Sequence, residues 1–66
     1  MPKFPNVSVQ LTGEDGNAFA VLGRVQRALN RADGVSKDDI DAFMAEATSG
    51  DYDHLLATCM AYVDVA

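Results

Sequence analysis

The chain is poor in the residues that stabilise small proteins through disulfides, metal sites or large core side chains. Its 66 residues include one cysteine, one histidine and no tryptophan. Cys59 has no second cysteine for an internal disulfide, and with His54 alone it cannot complete a zinc site. A chain of this length buries only about 60 % of the surface that it exposes when unfolded. Small domains without disulfides or metals commonly gain stability by association. We therefore predict a homo-oligomer, a dimer or larger, with no cofactor and no metal.

Positive charge is scarce as well. Five lysines and arginines stand against ten acidic residues, which gives a net charge of −5. Affinity for nucleic acid comes largely from Lys and Arg that neutralise phosphates, so general nucleic-acid binding is not expected. Three of the basic residues, Arg24, Arg27 and Arg31, nevertheless fall on one predicted helix, where they form a local basic stripe.

Long apolar runs are also missing. None approaches the length of a membrane span, and the opening residues MPKFPNV do not contain the apolar core of a signal peptide. We expect no membrane association and a cytoplasmic location.

What is present is a change of hydrophobic period along the first half of the chain. After an extended lead over residues 1–5, apolar and polar residues alternate over 6–12, which predicts a strand with one buried face. The apolar period then lengthens to three or four residues, which predicts a helix over 17–32. Asp33 and Gly34 follow, and glycine tolerates the positive φ that often ends a helix.

The second half predicts two further helices and a second strand. Ser36 precedes Asp39 by three residues, a near match to a capping box, and predicts a helix over 37–48. Asp51 is a favourable N-cap for a shorter helix over 51–60. Alternation returns over 61–65 and predicts the second strand.

These elements form one domain over residues 1–66 with the order β-α-α-α-β, an α+β fold. The terminal strands pair with each other, in parallel if each element reverses direction, and three helices cover them. Because a two-stranded sheet is marginal in water, we expect oligomerisation to extend it across a subunit interface.

The candidate site is the corner LTGEDGNAF, between the first strand and the first helix. Its glycines allow close approach of a ligand, and a helix N-terminus attracts anions. Aromatic rings would stack on a base, and arginines of a neighbouring subunit would supply positive charge. The candidate ligand-binding residues are Gly13, Gly16, Asn17, Ala18, Phe19, Arg24, Arg27 and Tyr52.

A simpler interpretation is favoured for a monomer: Gly16 supplies a positive φ and Asn17 caps the helix. The spacing matches neither the Walker pattern nor the dinucleotide fingerprint. The arginines likewise have a simpler interpretation, as solvated side chains or loose surface partners of the acidic residues on the next helix, which are Asp38, Asp39, Asp41 and Glu46.

Two other features carry expectations. Gly23 lies inside a helix, where glycine costs about 1 kcal/mol relative to alanine, so we expect another helix, the first strand, a subunit or a ligand to approach it closely, with packing the commoner reason. His54 and Cys59 are five residues apart on one helix and point about 140° apart, so they are not expected to form a catalytic dyad. No catalytic motif is recognised, and we predict a non-enzyme.

Two stretches carry a family resemblance, VSVQLTGEDGNAFAVLGRVQRAL and EATSGDYDHLLATCMAYVDV. Together they resemble a family of short, uncharacterised single-domain proteins of bacteriophages and of phage-like regions in bacterial genomes. The shared features are the LTGEDGNAF corner, Gly23 and the SGDYDHLL start of the third helix, and the resemblance extends from Asn6 to Val65. It implies a protein that acts by binding in the host cytoplasm, and many such proteins counter bacterial defence.

Two functions remain open on this basis. The first is an oligomeric sponge that sequesters a small anionic, nucleotide-type immune signal of the host. The second is a protein–protein interaction module that inhibits or regulates a host or phage protein.

Overall fold

The computed structural model describes residues 1–11 and 16–66. The elements are β1 (Phe4–Val9), α1 (Ala18–Arg31), α2 (Lys37–Ala47), α3 (Tyr52–Tyr62) and β2 (Val63–Val65). The two strands form a parallel two-stranded sheet. The predicted β-α-α-α-β order and α+β class are thus confirmed.

The first strand lies earlier in the chain than its alternating pattern indicated. It begins at Phe4, within the expected lead, and ends at Val9 rather than at residue 12. Pro5 lies inside it, as is usual only for a strand at a sheet edge. Backbone pairing nevertheless continues past Val9, because the Leu11 N–H donates to the Ala66 carbonyl at 3.1 Å.

The second strand is shorter than expected because α3 continues through Ala61 and Tyr62. The Val63 N–H still donates to the Cys59 carbonyl, which closes the last turn of the helix. The Ala61 carbonyl accepts a 2.8 Å hydrogen bond from the Lys3 N–H. These hydrogen bonds pair backbone groups in the segment 61–65, where the alternation of apolar and polar residues had predicted a strand.

The core lies between the sheet and the three helices. The rings of Phe43 and Tyr62 meet edge to face, with centroids 5.3 Å apart, which joins α2 to the end of α3. Burial of each large apolar side chain contributes about 1.5–3 kcal/mol. The buried apolar residues are Val7, Val9, Val21, Val25, Leu29, Ile40, Phe43, Ala47, Leu55, Cys59 and Val63. Met60, on α3, is 63 % exposed.

The side-chain caps predicted at the helix starts are present in the structure. The Asn17 side chain accepts a hydrogen bond from the Phe19 N–H, and the Asp51 carboxylate accepts one from the His54 N–H. Ser36 and Asp39 form a complete capping box. Gly34 has a φ of 84°, but it lies three residues beyond Arg31, and the C-cap of α1 is Ala32 in an extended conformation. The helix starts therefore follow local sequence chemistry.

Gly23 does not have the close packing contact expected of it. A Cβ built on Gly23 would meet only the end of the Arg27 side chain, at 3.6 Å. This is an ordinary van der Waals distance, and Arg27 is flexible. Within the described part of the chain, the glycine is therefore not required by packing.

Across residues 1–11 and 16–66, no helix combines the length and the apolar character that crossing a bilayer requires.

Candidate functional site: a groove at the start of α1 and α3

An apolar groove of about 190 Å³ lies where the first turns of α1 and α3 meet the end of α2. We call it the Phe19 groove. It is lined by Ala18, Phe19, Leu22, Ala47, Thr48, Gly50, Asp51, Tyr52 and Leu55.

The start of α1 holds the most exposed aromatic ring of the groove. The Asn17 side-chain oxygen accepts a 2.9 Å hydrogen bond from the Phe19 N–H, and the Asn17 carbonyl accepts one from the Val21 N–H. These bonds fix the first turn of the helix and so the direction of its side chains. Phe19 is 85 % exposed even though it borders an apolar depression. The groove is therefore open and has an aromatic rim.

Tyr52, at the start of α3, ties the two helix starts together. Its hydroxyl donates a 2.5 Å hydrogen bond to the Gly16 carbonyl, immediately before α1. A Cβ on Gly16 would lie 3.5 Å from that hydroxyl, an ordinary contact. The positive φ expected at Gly16 depends on the position of Asp15, which lies outside the described residues. The described contribution of Gly16 is its carbonyl.

The connection between α2 and α3 depends on a close approach at Gly50. A Cβ built there would lie 2.9 Å from both Cβ and Cγ of His54, closer than real side chains allow. The His54 ring therefore covers the glycine. This packing holds the α2–α3 connection against the first turn of α3 and shapes one wall of the groove.

Behind that wall, His54 contacts Glu46 and Ser49. Its Nε2 lies 2.8 Å from the Glu46 carboxylate and 3.2 Å from the Ser49 hydroxyl. A nucleophilic triad requires the serine and the carboxylate on opposite ring nitrogens, whereas here both lie at Nε2. The Ser49 hydroxyl also donates to the Glu46 carbonyl at 2.7 Å. The cluster fastens the end of α2 to α3 and is not arranged as a proton relay.

Cys59 lies in the core, away from this cluster. Its side chain is fully buried, and burial raises the pKa of its thiol above the ordinary value of 9.0. His54 is directed towards the end of α2, so the two residues form no dyad, as their spacing indicated.

The structure brings together part of the predicted ligand-binding set. Ala18, Phe19 and Tyr52 line the groove, and Gly16 and Asn17 adjoin it through the hydrogen bonds of Tyr52 and Phe19. Gly13 lies outside the described residues. The set that sequence reasoning missed comprises Leu22, Ala47, Thr48, Gly50, Asp51 and Leu55. The sequence feature that lies closest to most of these residues is the short connection between two capped helices, α2 and α3.

Arg24 and Arg27 do not line this groove. Arg24 lines a second, more polar depression of about 300 Å³, on another side of α1. Arg27 is exposed and follows Phe19 by eight residues, about 12 Å along the helix axis. Within one chain, the aromatic and cationic parts of the predicted site are therefore separate.

Three of the acidic residues of α2 contact basic residues other than the arginines. Asp39 pairs with Lys3 at 3.3 Å, and Asp41 pairs with Lys37 at 3.1 Å. Glu46 contacts His54. Lysine and histidine side chains thus contact these three carboxylates.

Among the described residues, no group of three or more His, Cys, Asp or Glu side chains is placed to hold a metal ion.

The fold and the groove define a small α+β domain with an exposed aromatic recess. Comparison with protein-family models, curated proteins and solved structures gave no match. The resemblance to phage proteins stays a prediction, and the function has to be argued from the groove.

Proposed function

We propose that this protein is a non-enzymatic interaction module that takes an apolar side chain of a protein partner into the Phe19 groove. The observation that carries this proposal is the 85 % exposure of Phe19 at the rim of an apolar depression. Aromatic residues at the centre of an interface commonly supply much of the binding energy. An exposed phenyl ring beside a recess provides both an anchor and a pocket.

The size of the groove favours a side chain over a complete small molecule. Its volume of about 190 Å³ is below the range of roughly 300–1,000 Å³ that is typical of ligand pockets. One leucine, methionine or aromatic side chain of a partner would occupy such a space. The main chain of the partner would then lie across Phe19 and Tyr52.

The charge of the protein favours a basic rim on that partner. Asp51 is the one charged residue among the described lining residues, and its carboxylate caps α3. The chain as a whole has a net charge of −5. Complementary charge at the edge of an interface speeds association and suppresses wrong partners. We therefore expect an apolar anchor flanked by Lys or Arg.

The resemblance to phage proteins supports a regulatory setting for this binding. In that setting the partner is a host or phage protein in the host cytoplasm, and binding inhibits or regulates it.

The test compares two exposed side chains, one in the groove and one outside it. Wild type, Phe19→Ser and Met60→Ser are used as baits in host extract, and a protein retained by wild type is purified and titrated by calorimetry. Met60 is 63 % exposed and does not line the groove. We expect Phe19→Ser to weaken binding at least about tenfold, or 1.4 kcal/mol, and Met60→Ser to leave it unchanged. Equal affinity of wild type and Phe19→Ser for the purified partner would contradict the proposal.

A nucleotide-type ligand is the second candidate, because the first turns of two helices and two aromatic rings border the same groove. Helix N-termini favour phosphate, and Phe19 and Tyr52 would stack on a base. Arg24 or Arg27 of a neighbouring subunit would supply the missing cation, so this candidate requires the oligomer. It corresponds to a sponge that sequesters a nucleotide immune signal.

Light scattering and calorimetry test this second candidate. If the protein is such a sponge, light scattering should show more than one chain per particle. Calorimetry should show binding of a cyclic nucleotide or an ADP-ribose derivative, and much weaker binding of inorganic phosphate. Asn17→Ala and Arg24→Ala should each weaken that binding. No affinity tighter than about 100 μM, roughly −5.5 kcal/mol, across the panel would contradict it.

A further inference from the structure

A second groove lies on the side of α1 that faces β1. We call it the Arg24–Arg31 groove. It has a volume of about 300 Å³ and is lined by Ser8, Val9, Gln10, Arg24, Ala28 and Arg31. Among the described residues, none lines both this groove and the Phe19 groove. Its chemistry is also different, because two guanidinium groups border it.

One wall of this groove is an edge of the sheet. The Val9 carbonyl accepts from the Ala66 N–H, and the Leu11 N–H donates to the Ala66 carbonyl, so both groups point towards the β2 side. Backbone groups of successive strand residues point to opposite sides, which directs those of Ser8 towards the other edge. In the described sheet, β1 pairs with β2 alone. The end of β1 therefore presents a pairing edge beside the two arginines.

The other wall is one face of α1. Arg24, Ala28 and Arg31 are spaced i, i+4 and i+7, so the two arginines are about 10 Å apart along the helix axis. Side chains on one face of an extended chain repeat every ~7 Å. Alternate positions of a strand laid along β1 therefore repeat on the scale of the spacing of Arg24, Ala28 and Arg31, and the long arginine side chains would absorb the remaining difference. The small Ala28 leaves room between them.

We propose that the Arg24–Arg31 groove binds an extended acidic segment of a protein partner, added as a strand along the edge of β1 that faces away from β2. Its carboxylates contact Arg24 and Arg31, and a small apolar side chain between them lies over Ala28. Charge complementarity selects this occupant, since the groove concentrates two of the five basic residues of a chain with a net charge of −5. Main-chain hydrogen bonds supply affinity in this mode, and alternate side chains supply specificity.

The probe is a synthetic capped peptide in which two glutamates flank a Val-Ala-Val spacer, with Thr and Ser at both ends for solubility. Two control peptides isolate the two parts of the mechanism. The first replaces both glutamates with glutamine, and the second keeps the charges but carries alternate backbone N-methyl groups that prevent strand pairing. Binding is followed by calorimetry and by the amide shifts of Ser8, Val9 and Gln10 in NMR spectra. We expect both control peptides to bind at least about fivefold more weakly than the probe.

The matched protein variants are Arg31→Gln and Arg27→Gln, which remove equal charge from one helix. Arg31 lines the groove and Arg27 does not. We expect Arg31→Gln to weaken peptide binding by about three- to tenfold and to reduce its salt dependence. Arg27→Gln should change the affinity less than about twofold, and thermal melts of both variants establish that they are folded.

Three results would overturn this proposal: no binding of the probe peptide below about 1 mM, equal effects of Arg27→Gln and Arg31→Gln, or equal binding of the N-methylated peptide. Tighter binding of a single-stranded oligonucleotide than of the probe would assign the groove to nucleic acid instead. Dissociation of a wild-type oligomer by Arg31→Gln would assign it to a second copy of the chain. Phe19→Ser should leave peptide binding unchanged, so this outcome is independent of the function proposed for the Phe19 groove.

Discussion

The Tyr52 hydroxyl donates a 2.5 Å hydrogen bond to the Gly16 carbonyl across a sequence separation of 36 residues. This bond joins the segment before α1 to the first turn of α3. Both segments border the Phe19 groove, so the bond contributes to the shape of the candidate site as well as to the fold.

Tyr52→Phe removes this hydrogen bond and keeps the ring. We expect the free energy of unfolding to fall by about 0.5–1.5 kcal/mol, towards the lower end because water reaches the site. Urea denaturation of the two proteins measures the difference. Tyr52→Leu is the comparison, since it also removes the aromatic wall and should cost more. Equal midpoints and slopes for wild type and Tyr52→Phe would mean that the hydrogen bond contributes nothing to stability.

The capping box of α2 predicts a loss of stability in acid. The Ser36 backbone N–H, the Ser36 hydroxyl and the Lys3 ammonium hold the pKa of the Asp39 carboxyl below its ordinary value of 3.8. A carboxyl with a lowered pKa in the folded state stabilises the protein above its unfolded pKa, and this contribution is lost as pH falls through the folded pKa. Asp39→Asn should therefore flatten the decline of the melting temperature below about pH 4.

Asp38→Asn is the matched control, because Asp38 also lies in the first turn of α2 but is not the box residue. It changes the same net charge at the same helix end. If Asp38→Asn reduces the decline of the melting temperature in acid as much as Asp39→Asn does, the effect comes from negative charge at the helix end in general. The assignment to the capping box would then be wrong.

Local chemistry explains most of what the sequence could predict about the fold. Asn17, Ser36 and Asp51 cap the three helices as their residue types indicate, and Gly34 takes the positive φ expected after α1. Caps depend on side chains within three residues of the helix start, so a sequence pattern reveals them. The strand ends were less predictable because backbone partners that are distant in sequence decide where pairing stops.

The candidate site was only partly predictable for the same reason. The sequence indicates Phe19 and Tyr52 separately as aromatic candidates, but their common groove depends on the contact between Tyr52 and Gly16. The role of Gly50 depends on the position of the His54 ring. The contact between Lys3 and Asp39 joins residues 36 positions apart, so the sequence pattern alone did not indicate it.

Cys59 should be chemically protected in the folded protein. Its side chain is fully buried and burial raises the pKa of its thiol, so little thiolate exists near pH 8 and reagents have no direct access. We expect slow labelling by a disulfide reagent in buffer and rapid labelling in denaturant. The chain has one cysteine, so the absorbance change of the reagent reports the labelling of Cys59 alone. Labelling in buffer as fast as in denaturant would place the thiol at the surface.

Gly50 and Gly23 should respond in opposite ways to alanine. At Gly50 the new Cβ would lie 2.9 Å from the His54 Cβ, so the turn or α3 must shift. We expect Gly50→Ala to reduce the free energy of unfolding by about 1–3 kcal/mol. At Gly23 the new Cβ meets only Arg27, at 3.6 Å, and alanine is the better helix former. We therefore expect Gly23→Ala to stabilise the protein by about 0.5–1 kcal/mol.

Urea denaturation of the two variants beside wild type measures both changes, and light scattering and partner binding are recorded for the same samples. Destabilisation by Gly23→Ala would contradict the open environment that the structure gives to this glycine. A stabilised Gly23→Ala that loses self-association or partner binding would instead identify the surface around Gly23 as a contact made outside the single chain. Neutral behaviour of Gly50→Ala would mean that the His54 ring does not cover Gly50, and the wall of the Phe19 groove would then be arranged differently.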